Sequence, residues 1–310
     1  MEILQYTPDM QASLTQFYNH LTVDVPHCYP VKEEEFAIAV REVTTDKSDV
    51  KDGGLDSETA FVAMVNGAVQ AFIHIGIGQV WNHEERKENA GIIRFLGYER
   101  GARQVGQAVL EKAEDYLKTY DISQIFAFSQ DCRYRFYHFA HAYLSDALDQ
   151  VQGLLGYNGY HRSNGEVFLD WEDYSVTPVP SNLPVTLSID WKDGRGQLPN
   201  CTVLAHQDGE QVGICESLCG GEFSSHADAQ NWLHTVWLGI EDDFQGQGLG
   251  RYLLQYALQE MKKIGYQHAA ISTAWDNHRA FLFYSNCGYW TVDWTYEFVK
   301  DLSKAPTEKW

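Results

Sequence analysis

One order of segments occurs twice in this chain, and that repetition limits the fold more than any other feature of the sequence. ETAFVAMVNGAVQAFIHIG, from Glu58, holds two β-rich runs around Asn66-Gly67, and CTVLAHQDGEQVGICES, from Cys201, holds two more around Asp208-Gly209. These dipeptides predict hairpins, because the tightest turns need positive φ, which Asn, Asp and Gly tolerate. Downstream of each hairpin a glycine opens a strongly periodic segment: Gly106 before QAVLEKAEDYLKTYD and Gly250 before RYLLQYALQEMKKIG. At a constant offset of 144 residues, Val109, Leu110, Ala113 and Leu117 align with Leu253, Leu254, Ala257 and Met261. Each set is one apolar helix face. A β-rich run follows each helix (ISQIFAF and QHAAIST). Each half then closes with a Gly-Tyr pair and an aromatic strand, NGYHRSNGEVFLDW and CGYWTVDWTYEFVKDL. The chain reads as two copies of one α/β unit.

A length of 310 residues suits two domains of ordinary size. The boundary is read in EDYSVTPVPSNLP, Glu172 to Pro184, which holds three of the 8 prolines and cannot continue a helix or central strand. The expected domains are 1–173 and 174–310. No run approaches 18 apolar residues and no basic-then-apolar leader follows Met1, so neither a membrane span nor a secretory signal is expected. The net charge is −20, with an acidic balance on both sides of Asp173. Nucleic-acid binding is disfavoured, since it draws on Lys and Arg against phosphates. An acidic surface favours cationic partners. The six cysteines are scattered, and Cys215 and Cys219 lack a second pair at zinc spacing. One helical turn would align His138 with His141, but no carboxylate or third His stands at ligand spacing. No metal is expected, and reduced thiols point to the cytoplasm.

The chemistry is concentrated in TVWLGIEDDFQGQGLGRYLLQYALQEM. Thr235 to Ile240 reads as a strand and Arg251 onward as a helix. Between them stand Gln245, Gly246, Gln247, Gly248, Leu249 and Gly250. Three glycines at alternate positions before a helix let several N–H groups converge, and the helix N-terminus adds partial positive charge. Such a loop suits a phosphate or pyrophosphate. A P-loop would end in Gly-Lys-Ser/Thr, whereas this one ends in Gly-Arg-Tyr. A dinucleotide loop would read G-x-G-x-x-G, whereas this one reads G-x-G-x-G.

Strand, loop and helix resemble the signature of the GCN5-related N-acetyltransferase (GNAT) superfamily, Gln/Arg-x-x-Gly-x-Gly/Ala, with Gln245, Gly248 and Gly250 in the defining places. Downstream, Asn277 to Tyr289 (NHRAFLFYSNCGY) resembles the family's second motif, Asn-x-x-Ala-x-x-Phe-Tyr-x-x-x-Gly-Phe/Tyr. The family's usual Pro before the loop is replaced by Glu241-Asp242-Asp243. The stretch from Pro184 to Pro199 is too short for the family's opening strand and two helices. The resemblance implies acetyl-CoA as donor, with its pyrophosphate on the N–H groups of Gln245 to Arg251 and its pantetheine arm along the main chain of Leu238, Gly239 and Ile240. Asn277 would line the pantetheine channel, and Tyr284 would be the general acid for the departing thiolate. The general base is assigned to Glu241, with Asp242, Asp243, His234 and Glu216 as alternatives.

In the first half the same pattern is eroded. ERGARQVGQAVL keeps only Gly106, with Gln104 in the Gly248 position, and GLLGYNGY puts Leu155 where Tyr284 stands. The resemblance therefore implies an α/β (α+β) chain of two tandem GNAT-like domains, each a mixed, mostly antiparallel twisted sheet flanked by helices. The first would be a degenerate copy and the second the catalytic one. The expected activity is acetyl transfer from acetyl-CoA to a primary amine of a small molecule or peptide, and the acidic balance favours a cationic acceptor. A non-catalytic CoA-binding regulatory or assembly protein is the alternative.

Overall fold

The structure is a computed structural model and describes residues 1–41, 55–81 and 87–303. The chain forms two compact units that are not consecutive halves. Unit 1 comprises Met1–Tyr137, Ala142–Gly165 and Thr295–Trp310; unit 2 comprises His138–His141 and Glu166–Trp294.

Unit 1 begins with β1 (Glu2–Gln5), α1 (Gln11–Leu21) and α2 (Glu33–Arg41), followed by β2 (Asp56–Val65), β3 (Ala68–Trp81) and β4 (Lys87–Tyr98). Then come α3 (Arg103–Leu117), β5 (Gln124–Ala127), the short β6 (Leu144–Ser145), α4 (Asp149–Tyr157) and the start of β7 (His161–Trp171). The turn between β2 and β3 has φ of +52° at Asn66 and +80° at Gly67, as its sequence requires. Strands β1 to β4 pair antiparallel in sequence order, and β5 lies parallel to β4 with Ile92 opposite Phe126. Beyond β5 the sheet is completed by the last strand of the chain, β13 (Trp290–Asp301), whose Phe298 lies opposite Ala127. Gly106 lies within α3, not before it. A Cβ there would come within 2.6 Å of the Tyr98 ring, so this glycine serves close helix–strand approach.

Unit 2 repeats this plan. The end of β7 is followed by β8 (Thr186–Lys192), β9 (Asn200–Gln207), β10 (Glu210–Cys219), β11 (Trp232–Ile240), α5 (Leu249–Lys263), β12 (His268–Ala274) and α6 (His278–Cys287). Asp208 and Gly209 make the β9–β10 turn with φ of +53° and +91°. Strands β8 to β11 pair antiparallel, β12 runs parallel to β11, and residues 166–171 of β7 pair antiparallel with β12. Each unit therefore takes the strand beside its parallel pair from the other half of the sequence. Leu253, Leu254, Ala257 and Met261, the apolar face expected of α5, are buried against Val203, Leu233, Leu169 and Ile271 of the sheet.

No helix lies between β8 and β9, in keeping with the short Pro184–Pro199 stretch. The proline-containing segment 172–184 runs along α5. Buried Tyr174 donates to the Leu258 carbonyl at 2.9 Å, and the Val179 N–H donates to the Gln255 side chain at 2.9 Å. His138 and His141 do not share a helical turn; both have positive φ, +64° and +69°. Phe139 between them stacks on His234 at 5.4 Å, and His138 lies 4.1 Å from the Phe168 ring. Among the described residues, no helix is long and apolar enough to cross a membrane.

Candidate active site

The parallel pair of unit 2 opens into a fork. Register pairs between β11 and β12 run from Trp232 opposite His268 to Thr235 opposite Ile271. Beyond them β11 keeps its outer partner, with Leu238, Gly239 and Ile240 opposite Cys215, Ile214 and Gly213. β12 likewise keeps β7, with Thr273 and Ala274 opposite Val167 and Glu166. A β-bulge stands where the strands part: Glu216 pairs with Trp237 and Ser217 with Thr235, leaving Val236 as the extra residue. A bulge sharpens local twist and re-aims the strand. The inner edge of β11 at Leu238–Ile240 thus faces the gap, where an extended ligand can add main-chain hydrogen bonds.

The loop that follows is held by its own side chains. After Ile240, residues Asp242–Phe244 form one 3₁₀ turn. The Gln245 side-chain amide donates to the Ile240 carbonyl at 3.0 Å and to the Asp242 carboxylate at 2.9 Å. Gln245 therefore acts as the loop's brace. Gly246 and Gly248 have φ of +75° and +85°, and a Cβ on Gly246 would meet nothing within 4 Å. Gly248 is the N-cap of α5 and carries no side chain to cap it, so the N–H groups of the first turn await acceptors from outside the helix. The Gln247 carbonyl accepts from the Asn182 N–H at 3.2 Å, which fixes the far side of the loop. Glu241, Asp242 and Asp243 are exposed at the loop's start, and Arg251 is the adjoining cation. An anion here would be held by main-chain N–H groups and the helix end. The residues present fit a pyrophosphate.

On the other side of the fork, Asn277 caps α6, its side-chain oxygen accepting from the Ala280 N–H at 3.1 Å. Tyr284 is the buried residue of that helix, at 8% exposure, with its ring against Phe283 and Tyr289. Burial raises its pKa above the ordinary phenol value, with further upward contributions from Cys215, Glu166 and Cys287. Of the alternative bases, His234 is completely buried beneath Phe139, whereas Glu216 is half-buried and lies opposite exposed Trp237. Gly239 makes room for that indole, since a Cβ there would stand 2.9 Å from Trp237 Nε1.

Alternation along the strands sorts the fork's border into two faces. Val167, Leu169, Leu238 and Ile240 join the core beneath α5 and α6. Glu166, Trp237 and Glu216 therefore point to the opposite face. Glu166 is the residue that the motifs do not reveal. It stands in NGYHRSNGEVFLDW, the closing strand of the first half, yet the fold sets it beside Ala274 at the fork. Burial pushes its carboxyl up to about 7, outweighing a hydrogen bond from Ser272.

The corresponding region of unit 1 carries different contacts. A bulge again marks its parallel pair, with His74 opposite Phe95 and Ile75 opposite Ile93. Phe95, however, lies within 6.1 Å of the rings of Phe128, Tyr134 and Tyr137. The Tyr98 hydroxyl donates to the Gln150 carbonyl at 2.7 Å, and Arg100 reaches the Asp149 carboxylate at 2.5 Å, tying the pre-helix loop to α4. Leu155 is completely buried.

Residues 166–289 match the profile of the acetyltransferase (GNAT) family. No curated protein matches the chain by sequence. Among solved structures, the chain is similar to a tandem GNAT protein from the clavulanic acid biosynthesis pathway, with 11% identity and a TM-score of 0.65 over 98% of this chain and 99% of that one. It is also similar to a GCN5-related glucosamine N-acetyltransferase region of a fungal multi-domain beta-N-acetylglucosaminidase, with 13% identity and a TM-score of 0.64 over 96% of this chain and 38% of that one. A GCN5-related N-acetyltransferase from Sphaerobacter thermophilus matches at 12% identity and a TM-score of 0.59, over 99% of this chain and 98% of that one. At these identities the likeness is one of fold, and the fold is that of tandem GNAT proteins.

Proposed function

Since residues 166–289 match the profile of the acetyltransferase (GNAT) family, we propose that this chain transfers an acetyl group from acetyl-CoA to a primary amine of a small molecule or peptide, with unit 2 as the working domain and unit 1 as a degenerate copy. The observation that carries this reading is the fork between β11 and β12, with a glycine loop braced at one end and Tyr284 buried at its side. N–H groups of Gly246 to Arg251 bind the pyrophosphate. The main chain of Leu238 to Ile240 pairs with the pantetheine arm and polarises the thioester carbonyl. Asn277 borders the same channel.

The bound donor supplies an activated acetyl carbonyl. Tyr284 holds its proton throughout the neutral range, because burial keeps the phenol protonated. It gives that proton to the sulfur as the C–S bond breaks. Trp237 and Glu216, side by side on the face opposite the helices, favour a cationic acceptor through ring face and carboxylate. Six cysteines that form no disulfide, four of them buried, support a reducing, cytoplasmic setting.

The test is thiol release from acetyl-CoA across polyamines, aminoglycosides, amino acids and short peptides. Turnover of at least one cationic amine above the hydrolysis blank is expected. Thermal stabilisation by acetyl-CoA without turnover of any amine would instead favour a CoA-binding regulatory or assembly protein.

A further inference from the structure

The base in this reaction has a better-placed candidate than the exposed acids of the loop. Glu166 belongs to unit 2 although it is encoded with the first half. Its position follows from register: Glu166 lies opposite Ala274, three residues beyond the last pair that joins β12 to β11. It therefore stands where the fork is open. Its neighbours Val167 and Leu169 point into the core beneath α5 and α6. Glu166 itself points to the opposite face, the side from which an acceptor can approach a donor lying against the helices. Trp237 of β11 and Glu216 of β10 border the same face.

We infer that Glu166 is the general base of the acetyl transfer, delivered to the catalytic unit by a strand from the other half of the sequence. The inference rests on the acetyltransferase reading above. Among the groups acting on Glu166 are Ser272, whose hydroxyl donates to the carboxylate from β12, and Tyr284 from α6, whose phenol senses the charge of Glu166. Burial outweighs the Ser272 bond and leaves a carboxylate basic enough to accept a proton near neutrality. Glu241, by contrast, is exposed at the start of the loop, with its N–H bonded to the Val212 carbonyl.

The proton and electron balance is complete with these residues. The Glu166 carboxylate takes one proton from the acceptor ammonium. The freed nitrogen lone pair forms the C–N bond at the thioester carbonyl. As the C–S bond breaks, the thiolate takes the Tyr284 proton, and the remaining surplus N–H proton restores the phenol. Glu166 then releases its proton to solvent. The products are the N-acetyl amide, CoA thiol and one proton.

The experiment is a pH profile of kcat/KM, from pH 5.5 to 9.5, for wild type, Glu166→Gln, Glu166→Asp and Glu241→Gln, with the best amine of the panel and acetyl-CoA. Wild type should rise with pH on a limb centred near 7. Glu166→Gln should lose that limb and about 10²-fold in kcat/KM at pH 8. Its acetyl-CoA affinity by calorimetry should stay within threefold. Glu166→Asp, which keeps a carboxylate on a shorter stem, should retain a limb at a displaced midpoint with a reduced rate. This variant carries the test if Glu166→Gln does not fold. An unchanged profile in Glu166→Gln, or an unshifted full-rate limb in Glu166→Asp, overturns the inference alone. Loss of the limb in Glu241→Gln only assigns the base to Glu241 and also overturns it. A wild type inert towards every amine overturns the acetyltransferase reading, and this inference with it.

Discussion

The side-chain amide of Gln245 is bonded to the carbonyl oxygen of Ile240, 3.0 Å away, so the glycine loop is closed onto the end of the strand that precedes it. The same amide reaches Asp242. Gln245→Ala should release both bonds and leave the Ile240 carbonyl without this partner. Loss of one such bond is worth about 1 kcal/mol, and the expected result is acetyl-CoA affinity about five- to tenfold weaker by calorimetry. Unchanged affinity would mean that the loop keeps its shape without the brace.

At Gly248 two effects separate. Its φ of +85° disfavours any L-residue, yet a Cβ would meet only the Ser181 Cα, at 3.9 Å. Gly248→Ala should therefore cost about 1–2 kcal/mol of stability through the backbone alone. Gly248→Gln, copying the residue at position 104, should add obstruction and weaken acetyl-CoA binding more than tenfold, roughly 1.4 kcal/mol. Thermal melts and calorimetry on both variants distinguish strain from occlusion.

Tyr284→Phe keeps the ring that packs on Phe283 and Tyr289. Acetyl-CoA affinity should hold within a few-fold while kcat falls about 10²-fold. Because burial raises the phenol above its ordinary value, no alkaline limb from Tyr284 should appear below pH 10 in the wild-type profile. A kcat equal to wild type would leave Tyr284 as packing.

Calorimetric titration of the whole chain should find one acetyl-CoA. In unit 1 the Tyr98 and Arg100 bonds tie the equivalent loop to α4, and aromatic rings crowd Phe95, which stands in the position of Trp237. Gln104→Gly should create no second site. Two equivalent sites in the wild type would show that unit 1 also binds donor.

Glu166 also links stability to pH. Its carboxyl is raised in the folded state from 4.5 to about 7. A raised value means that the folded form holds the proton more tightly, so this contribution is complete below about pH 4.5 and is lost as pH rises through 7. Glu166→Gln has no charge to bury. It should melt near wild type at pH 5 and roughly 2–4 °C above it at pH 8. An equal difference at both pH values would show that ionisation of Glu166 costs the fold nothing.

Much of this architecture is legible locally. The Asn66-Gly67 and Asp208-Gly209 turns, the apolar faces of α3 and α5 and the glycine loop each depend on neighbours within a few residues. What is not legible depends on distant ones. The pattern of Glu166–Trp171 says strand, but it cannot say that the partner is His268–Ala274, about a hundred residues away. The place of Glu166 beside Ala274 is hidden for the same reason. Gly106 reads as a loop glycine, whereas the Tyr98 ring is what excludes a side chain there. Prolines in 172–184 forbid regular structure but do not reveal that the segment lies along α5.

The traded strands also set an order of events at the ribosome. Unit 2 receives its borrowed strand, β7, before the rest of it is made, so its sheet can close as soon as β12 emerges. Unit 1 must wait. Its β5 is paired on one side by β4, but the strand for its other side, Thr295–Asp301, is synthesised only after Glu166–Trp294 of unit 2. Until then β5 offers an open edge, a template for pairing with other chains. The half translated first is thus the half finished later, and a chain stalled before Thr295 would carry the glycine loop and Tyr284 while leaving its older unit unsealed.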